Sequence, residues 1–328
     1  MSMDPPWAGL TAFSETYTCY SAAVATWIAH ERGDWPSVVN TGLALTVVPV
    51  GDGLFGFAHF PPRLRAELGL VRTGLDGPPQ QLVDAVLAEL ERSGRVIVAG
   101  DGFRLPWHVA HRRRHAPHWY ALAGTPDRLE VLDPFACRSE LGVQHAMRTP
   151  IAREDLASLL VALPGGDPVH EQRERLALGD DWGRWSRGRC RWLVHGEVTN
   201  SRAPEGAEGS DGVLVLARHF RERGQDPRAY AQADDIWSIG RHRAFLARHA
   251  ATVAEQAHDQ ALGAWVHEHA ETLAKRWSHV APLMMQAALA LGAGRAASAS
   301  VPDALEELAA RERAAAQALP SALDVGSI

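Results

Sequence analysis

The chain has 328 residues and a formal net charge of −6 with its 16 histidines neutral. Apolar residues make up 46% and charged residues 22%, which is typical of a globular protein of one large or two ordinary domains. The charge balance argues against nucleic acid or an anionic membrane as partner. No run of about 18 apolar residues predicts a membrane-spanning helix, and the N-terminal stretch "MSMDPPWAGL" lacks the pattern of a signal peptide.

The cysteines are odd in number and widely spaced, at Cys19, Cys137 and Cys190. This arrangement favours neither a disulfide framework nor a zinc site. A reducing cytoplasm is therefore the expected compartment. Cys137 and Cys190 belong to no motif and are interpreted as packing residues.

Helices and strands alternate in the first part of the chain. Small residues along one face predict a helix over 19–32, and Gly33 follows as its stop. The apolar stretch 38–60, broken by glycines, is interpreted as short helix, strand and turn pieces. The remaining predicted elements are an amphipathic helix (79–93), strands (95–101, 118–124 and 128–135) and a helix (150–163). The last two strands form a predicted antiparallel pair joined by the turn "GTPD".

After the cluster "PGGDP" at 164–168, helical patterns dominate. Helices are predicted over 171–178, 188–199, 212–224, 234–256, 258–275, 278–291 and 302–318, with a mobile loop at 200–212. The predicted architecture is α+β, with an N-terminal domain (1–165) and an all-helical C-terminal domain (166–328) that covers the active-site cleft.

Cys19 lies at the start of the first long helix, where unpaired N–H groups and the helix dipole favour a thiolate. A histidine that takes the proton and a carboxylate that orients the histidine would complete a nucleophilic site. His118 opens one of the paired strands, and Asp133 ends the other. On position alone each has an alternative interpretation: Cys19 as a buried small side chain, His118 as a surface histidine, and Asp133 as an Asp-Pro turn former.

The segments "TCYSAAVATWIAH", "HWYALAG" and "LEVLDPF" are similar to the papain-like cysteine peptidase superfamily, in which a helix-borne Cys precedes a strand-borne His and Asp. The longer block "GDGFRLPWHVAHRRRHAPHWYALAGTPDRLEVLDPF", with "DDIWSIGRHRAFLARHA" and "KRWSHVAPLMMQAAL", more closely resembles the butirosin biosynthesis protein H family. This resemblance implies a papain-like fold for the N-terminal domain. It also implies Cys19 as nucleophile, His118 as general base and Asp133 as its orienter.

The family resemblance implies an acyltransferase of antibiotic biosynthesis. The acyl group leaves the phosphopantetheine thioester of an acyl carrier protein, rests on the cysteine and passes to an amine, which in an intramolecular version gives a cyclic product. No cofactor of the protein itself is expected. Two other hypotheses are a thioesterase or peptidase with the same triad, and a non-catalytic binding protein, against which the retained Cys–His–Asp set argues.

The chain departs from the peptidase pattern next to the cysteine. The glutamine that commonly serves as an oxyanion donor is missing from "LTAFSETYT". The Cys19 backbone N–H together with Thr16, Tyr17 or Thr18 are the candidate replacements. Tyr20 follows the cysteine where peptidases often carry Gly or Trp, which weakens the peptidase hypothesis more than the acyl-transfer one.

Further candidates come from the segment before His118. Asp101 is either a cleft residue or a turn cap. The basic run "HRRRH", with Arg112, Arg113 and Arg114, either meets a phosphopantetheine phosphate or an acidic carrier protein or forms a solvated loop. The spacing of the histidines at 108, 111 and 115 invites a metal site, but flanking prolines and the lack of an HExxH motif argue against one.

Overall fold

The computed structural model describes residues 7–59, 68–75, 77–161, 190–196 and 205–323. Over these ranges the protein is a mixed α+β protein with antiparallel sheets and a helical C-terminal region. None of the helices in these ranges combines the length and apolar composition needed to cross a bilayer. The predicted helix at 171–178 and the predicted boundary near residue 165 lie outside the described residues.

In chain order, the described helices and strands are α1 (Trp7–Ala12), α2 (Cys19–Glu31), α3 (Trp35–Val39), β1 (Thr46–Gly51), β2 (Leu54–Ala58), β3 (Leu70–Leu75), α4 (Pro79–Ser93), β4 (Arg95–Asp101), β5 (Pro117–Thr125), β6 (Arg128–Asp133), β7 (Cys137–Ser139), β8 (Gly142–Gln144), β9 (Met147–Ile151), α5 (Arg153–Leu159), β10 (Cys190–His195), β11 (Ala207–Glu208), α6 (Gly209–Arg223), α7 (Ala233–Ala257), α8 (Gln260–Trp265), α9 (Glu271–Gly292) and α10 (Ser300–Gln317). A π-helical turn, Val266–Ala270, follows α8.

The chain divides into two compact units. The first unit holds α1–α5 and β3–β10, and the second holds β1, β2, β11 and α6–α10. Placing β1 and β2 in the second unit differs from the sequence prediction, which assigned them to the N-terminal domain. The reason is their packing, because Val47, Phe55 and Phe57 belong to the core of the second unit and β1 pairs with β11.

The first unit is built on a six-stranded antiparallel sheet with the order β3-β10-β4-β5-β6-β9. The apolar face of α4 packs on one side of this sheet, where Val86 and Leu90 join Val96, Val98 and Leu122 in one core cluster. Helix α2 also packs on β4, β5 and β6. Its small residues are buried from Ser21 to Ala29, as close packing between a helix and a sheet requires.

The predicted pair of strands is confirmed, since β5 and β6 are antiparallel neighbours that meet at the turn between Thr125 and Arg128. The predicted helix at 188–199 is wrong over its described part, because Cys190–His195 is a strand inserted between β3 and β4. The apolar run Trp192–Val194 is too short for its periodicity to distinguish a strand from a segment of buried helix. The predicted helix at 150–163 begins later than expected, at Arg153.

The second unit is not all-helical, because its helices pack with the three-stranded sheet β11-β1-β2. The side chain of Gln232 binds the backbone of β2 twice: its Oε1 accepts from Phe55 N at 2.8 Å and its Nε2 donates to Phe55 O at 2.6 Å. A buried ion pair joins α7 to α10, where Arg243 Nε lies 2.8 Å from Glu312 Oε1. Trp277 Nε1 donates to the same oxygen at 2.7 Å.

Candidate active site

Cys19 is the first residue of α2, and the sequence before it fixes that position. Thr18 is the N-cap: its Oγ1 accepts from Ser21 N at 3.1 Å, and its own N–H donates to Ser21 Oγ at 2.8 Å. This reciprocal capping box defines where the helix begins. The thiol therefore lies at the positive end of the helix dipole, where backbone N–H groups have no partner within the helix.

The structure brings Cys19, His118 and Asp133 together within the first unit. His118 is the second residue of β5 and Asp133 the last of β6, and His118 Nε2 lies 2.7 Å from Asp133 Oδ2. The His118 side chain is close enough to the Cys19 thiol to lower the pKa of that thiol. Because Nε2 faces the carboxylate, Nδ1 is the ring nitrogen left to face the thiol. This is the arrangement of a nucleophile, a base and an orienting carboxylate.

The electrostatics of the site favour an ion pair between thiolate and imidazolium. Burial alone would lower the pKa of His118, but the charge and hydrogen bond of Asp133, with those of Cys19, raise this pKa to about 10. Burial alone would raise the pKa of the Cys19 thiol, but the hydrogen bond and charge of His118 and a backbone bond to Trp119 leave it below its ordinary value. A thiolate at neutral pH is the reactive form of cysteine.

Asp133 accepts several hydrogen bonds besides the one from His118. Its Oδ2 also accepts from Trp107 Nε1 at 2.9 Å and from Gln144 Nε2 at 3.2 Å, while its Oδ1 accepts from Phe135 N at 3.2 Å. The bond to Phe135 N is that of an Asp turn, so Asp133 is both the turn former and the partner of the histidine. No local sequence signal marks Trp107 or Gln144 as a partner of Asp133, because the three residues come close only through folding.

Asp101 joins the two ends of the loop that carries Trp107. Its Oδ1 accepts from Phe103 N at 3.0 Å and from Ala116 N at 3.4 Å, and its Oδ2 lies 2.6 Å from His115 Nδ1. These are the bonds of a turn cap. Asp101 therefore acts on the site through the loop 102–116, which it holds in position; its role as a cleft residue stays a prediction.

Two of the three candidate oxyanion donors, Thr16 and Thr18, already use their side-chain hydroxyl groups in local hydrogen bonds. Thr16 Oγ1 donates to Phe13 O at 2.7 Å, and Thr18 Oγ1 serves the capping box. Tyr17 is fully buried, with its ring packed near Trp35 at a centroid distance of 6.3 Å. The backbone N–H of Cys19, at the first helical position, remains the best-placed candidate.

The basic run lies on the same loop as Trp107, and Arg112, Arg113 and Arg114 are all exposed. Arg113 donates to Leu141 O. Arg114 lies 3.5 Å from Glu140, with both side chains more than half exposed, so this ion pair contributes little to stability. Within the described ranges, no three His, Cys, Asp or Glu side chains form a group that could hold a metal ion.

A scan against protein-family models finds no match for the chain, and a search of curated proteins finds none either.

Proposed function

We propose that this protein is a cysteine-dependent acyltransferase of natural-product biosynthesis, related to the butirosin biosynthesis protein H family and carrying a papain-like catalytic domain. It moves an acyl group from the thioester of an acyl carrier protein to an amine. The observation that carries the proposal is the partly exposed Cys19 thiol at a helix N-terminus, next to the buried, hydrogen-bonded pair of His118 and Asp133.

In the first half-reaction, the Cys19 thiolate attacks the thioester carbonyl and forms a tetrahedral oxyanion, for which the Cys19 N–H is a donor. The intermediate collapses and its bond to the pantetheine sulfur breaks. The His118 imidazolium gives its proton to that leaving sulfur. The products are an acyl-enzyme on Cys19 and a free carrier thiol.

In the second half-reaction, the acceptor amine attacks the acyl-enzyme while neutral His118 takes a proton from the nitrogen. Collapse of this intermediate releases the amide and restores the ion pair of Cys19 and His118. Asp133 keeps Nε2 of the ring engaged throughout, so Nδ1 handles both proton transfers. An amine on the acyl chain itself would give a cyclic product by the same steps.

Placement of the basic loop supports the carrier-protein part of the proposal. The loop 102–116 contributes Trp107 to the hydrogen bonds of Asp133 and also presents Arg112 to solvent. Guanidinium groups suit the phosphate of phosphopantetheine and the acidic surface of a carrier protein. The choice of amine as acceptor is supported by the family resemblance.

Mass spectrometry of the intact protein tests the proposal. After incubation with acyl-carrier thioesters of varied chain type, we expect an acyl adduct that maps to Cys19 and is released by added amines. Cys19→Ala should abolish the adduct, and Cys137→Ala, which changes another partly exposed cysteine, should leave it unchanged. Full activity in Cys19→Ala would refute the proposal.

The same experiment separates the transferase from the alternative hydrolase. An adduct that is stable in buffer and disappears only with amine selects acyl transfer, because water is then a poor acceptor. Rapid loss of the adduct in buffer, with free acid as product, selects a thioesterase or peptidase that uses the same triad.

A further inference from the structure

We propose that His108 is a positioning residue for the general base, and that its ring holds the His118 imidazole in the orientation that presents Nδ1 to Cys19. The proposal rests on the proposed function, in which His118 moves the protons. It adds a fourth residue, with no acid–base role of its own, to the set of Cys19, His118 and Asp133.

Direct ring contact is the first observation. The centroids of the His108 and His118 rings lie 4.4 Å apart with an interplanar angle of 63°. His118 is 1% exposed, so this contact belongs to a closed environment in which ring rotation needs space that neighbours deny. Phe135 lies near His118 as well, at a centroid distance of 5.6 Å. His108 is thus one of the packing neighbours that fix the orientation of the His118 imidazole.

The His108 ring is itself held in place. Its Nδ1 accepts a hydrogen bond from Ala110 N at 3.1 Å, so the neutral ring carries its proton on Nε2. Burial, with the charges of His118 and Arg114, lowers the pKa of His108 to about 2. A ring that stays neutral at every working pH packs against the imidazolium without adding a second positive charge.

Gly102 leaves the space that the His108 ring occupies. A Cβ at position 102 would lie 2.6 Å from His108 Nδ1 and 2.7 Å from its Cε1, and either contact forces the ring to move. The Gly102 backbone is not in the left-handed region, so an alanine there is compatible with the backbone. The contact between the two histidines therefore depends on a glycine whose substitution acts directly on His108.

Two substitutions at His108 separate positioning of His118 from support of the loop. His108→Phe keeps a ring of similar shape and loses the acceptor for Ala110 N. His108→Asn loses the ring and keeps an acceptor oxygen near the Nδ1 position. If the ring positions His118, the Asn variant is impaired and the Phe variant is active; if His108 only supports the loop, the order is reversed.

The readout is the rate of Cys19 alkylation by iodoacetamide, mapped by mass spectrometry across pH 5.5–9.5, because this rate reports the thiolate that the His118 imidazolium stabilises. Misplacing the His118 ring weakens its interaction with the Cys19 thiolate, and losing one hydrogen bond to a charged group lowers a rate about tenfold or more. We therefore expect His108→Asn and Gly102→Ala to slow alkylation about tenfold at pH 6.5. Both should also make its pH dependence resemble that of an ordinary thiol. His108→Phe should stay within about threefold of the parent, and so should His111→Asn, a control three residues along the same loop.

A double-mutant cycle provides the decisive comparison. Adding Gly102→Ala to His108→Ala should have no further effect, because the ring that the new methyl group displaces is already gone. Additive losses, or a His108→Asn variant as reactive as the parent, would overturn the proposal. Alkylation needs no acyl donor, so a failure of the acyltransferase proposal would appear separately, as a missing acyl-enzyme in a protein whose alkylation still depends on His108.

Discussion

Trp107 Nε1 and His118 Nε2 donate to the same oxygen, Oδ2 of Asp133, at 2.9 and 2.7 Å. One oxygen of the buried carboxylate thus accepts hydrogen bonds from both a neutral indole and the histidine. We expect Trp107→Phe to lower the free energy of unfolding by about 1–3 kcal/mol, the usual cost when a buried charged group loses a hydrogen-bond partner. Chemical denaturation measures this change. An unchanged stability would mean that the indole bond adds nothing to the folded state.

Asp133→Asn tests the electrostatic origin of the thiolate. The Asp133 carboxylate, together with Cys19, raises the pKa of His118 to about 10, against the opposing effect of burial. An amide of the same shape removes the charge, so the imidazolium is lost near neutral pH and the thiol regains its proton. Cys19 alkylation at pH 6.5 should fall at least about tenfold and should approach the parental rate above pH 9.5. A parallel loss at every pH would indicate a structural defect instead.

Cys19→Ala should change how stability depends on pH. With Cys19 and His118 as an ion pair in the folded parent, the proton that His118 takes up on folding comes from Cys19, so this pair itself adds no pH dependence to stability between the ordinary pKa values of 6.5 and 9.0. In the variant, His118 keeps Asp133 and its folded pKa stays raised.

A raised folded pKa gives a stabilisation that is complete below pH 6.5 and is lost as the pH rises through the folded pKa of His118, which without Cys19 lies below the parental value of about 10. The variant's unfolding free energy should therefore fall with pH, by up to about 1.4 kcal/mol per pH unit, relative to the parent. Denaturation at several pH values measures the difference. Curves that stay parallel between pH 6.5 and 9 would contradict an ion pair in the folded protein.

Arg112→Gln tests the phosphate contact. The variant removes one exposed charge, and exposed ion pairs contribute about 0.2–1 kcal/mol. We expect the KM for an acyl-phosphopantetheine donor to rise about two- to fivefold, with the KM for acyl-pantetheine, which lacks the phosphate, unchanged. Arg128→Gln, an exposed arginine at the β5–β6 turn, is the matched control. An equal rise in KM for both donors would show that Arg112 does not contact the phosphate.

In the second unit, Arg243→Met should cost about 3–5 kcal/mol, because it leaves the carboxylate of Glu312 buried without its cation. The double variant Arg243→Met with Glu312→Leu should recover most of this loss, since an apolar pair replaces the stranded charge. Urea denaturation of the parent, the single variant and the double variant measures the loss and its recovery. A harmless single variant would show that the pair contributes little to folding.

The elements that the sequence predicted well are those with local signals. Helix α2 has a cap, a small-residue face and a glycine stop, and the β5–β6 hairpin has alternation and a tight turn, so Cys19, His118 and Asp133 could be placed before the structure was known. Strand β10 has only a short apolar run, and its partners β3 and β4 are far away in sequence. Pairing over such separations leaves no local pattern.

The same limit applies inside the site. Trp107, His108 and Gln144 come from a loop and a short hairpin strand, where no periodicity marks a buried side chain. Their roles depend on three-dimensional contacts with Asp133 and His118, which single positions in a sequence do not reveal. Residue type can also mislead. Thr16 and Thr18 were predicted as oxyanion donors because they carry hydroxyl groups, but the structure shows these groups in local hydrogen bonds.

The two hydrogen bonds between the Gln232 side chain and the Phe55 backbone also affect the edge of the sheet. Strand β2 is at the edge of its sheet among the described strands, and an edge strand offers its free backbone groups to strands of other chains. The carboxamide of Gln232 occupies both groups of Phe55, the N–H and the C=O, just as a neighbouring strand would. One side chain thereby occupies two backbone groups that an incoming strand would need in order to pair with this edge.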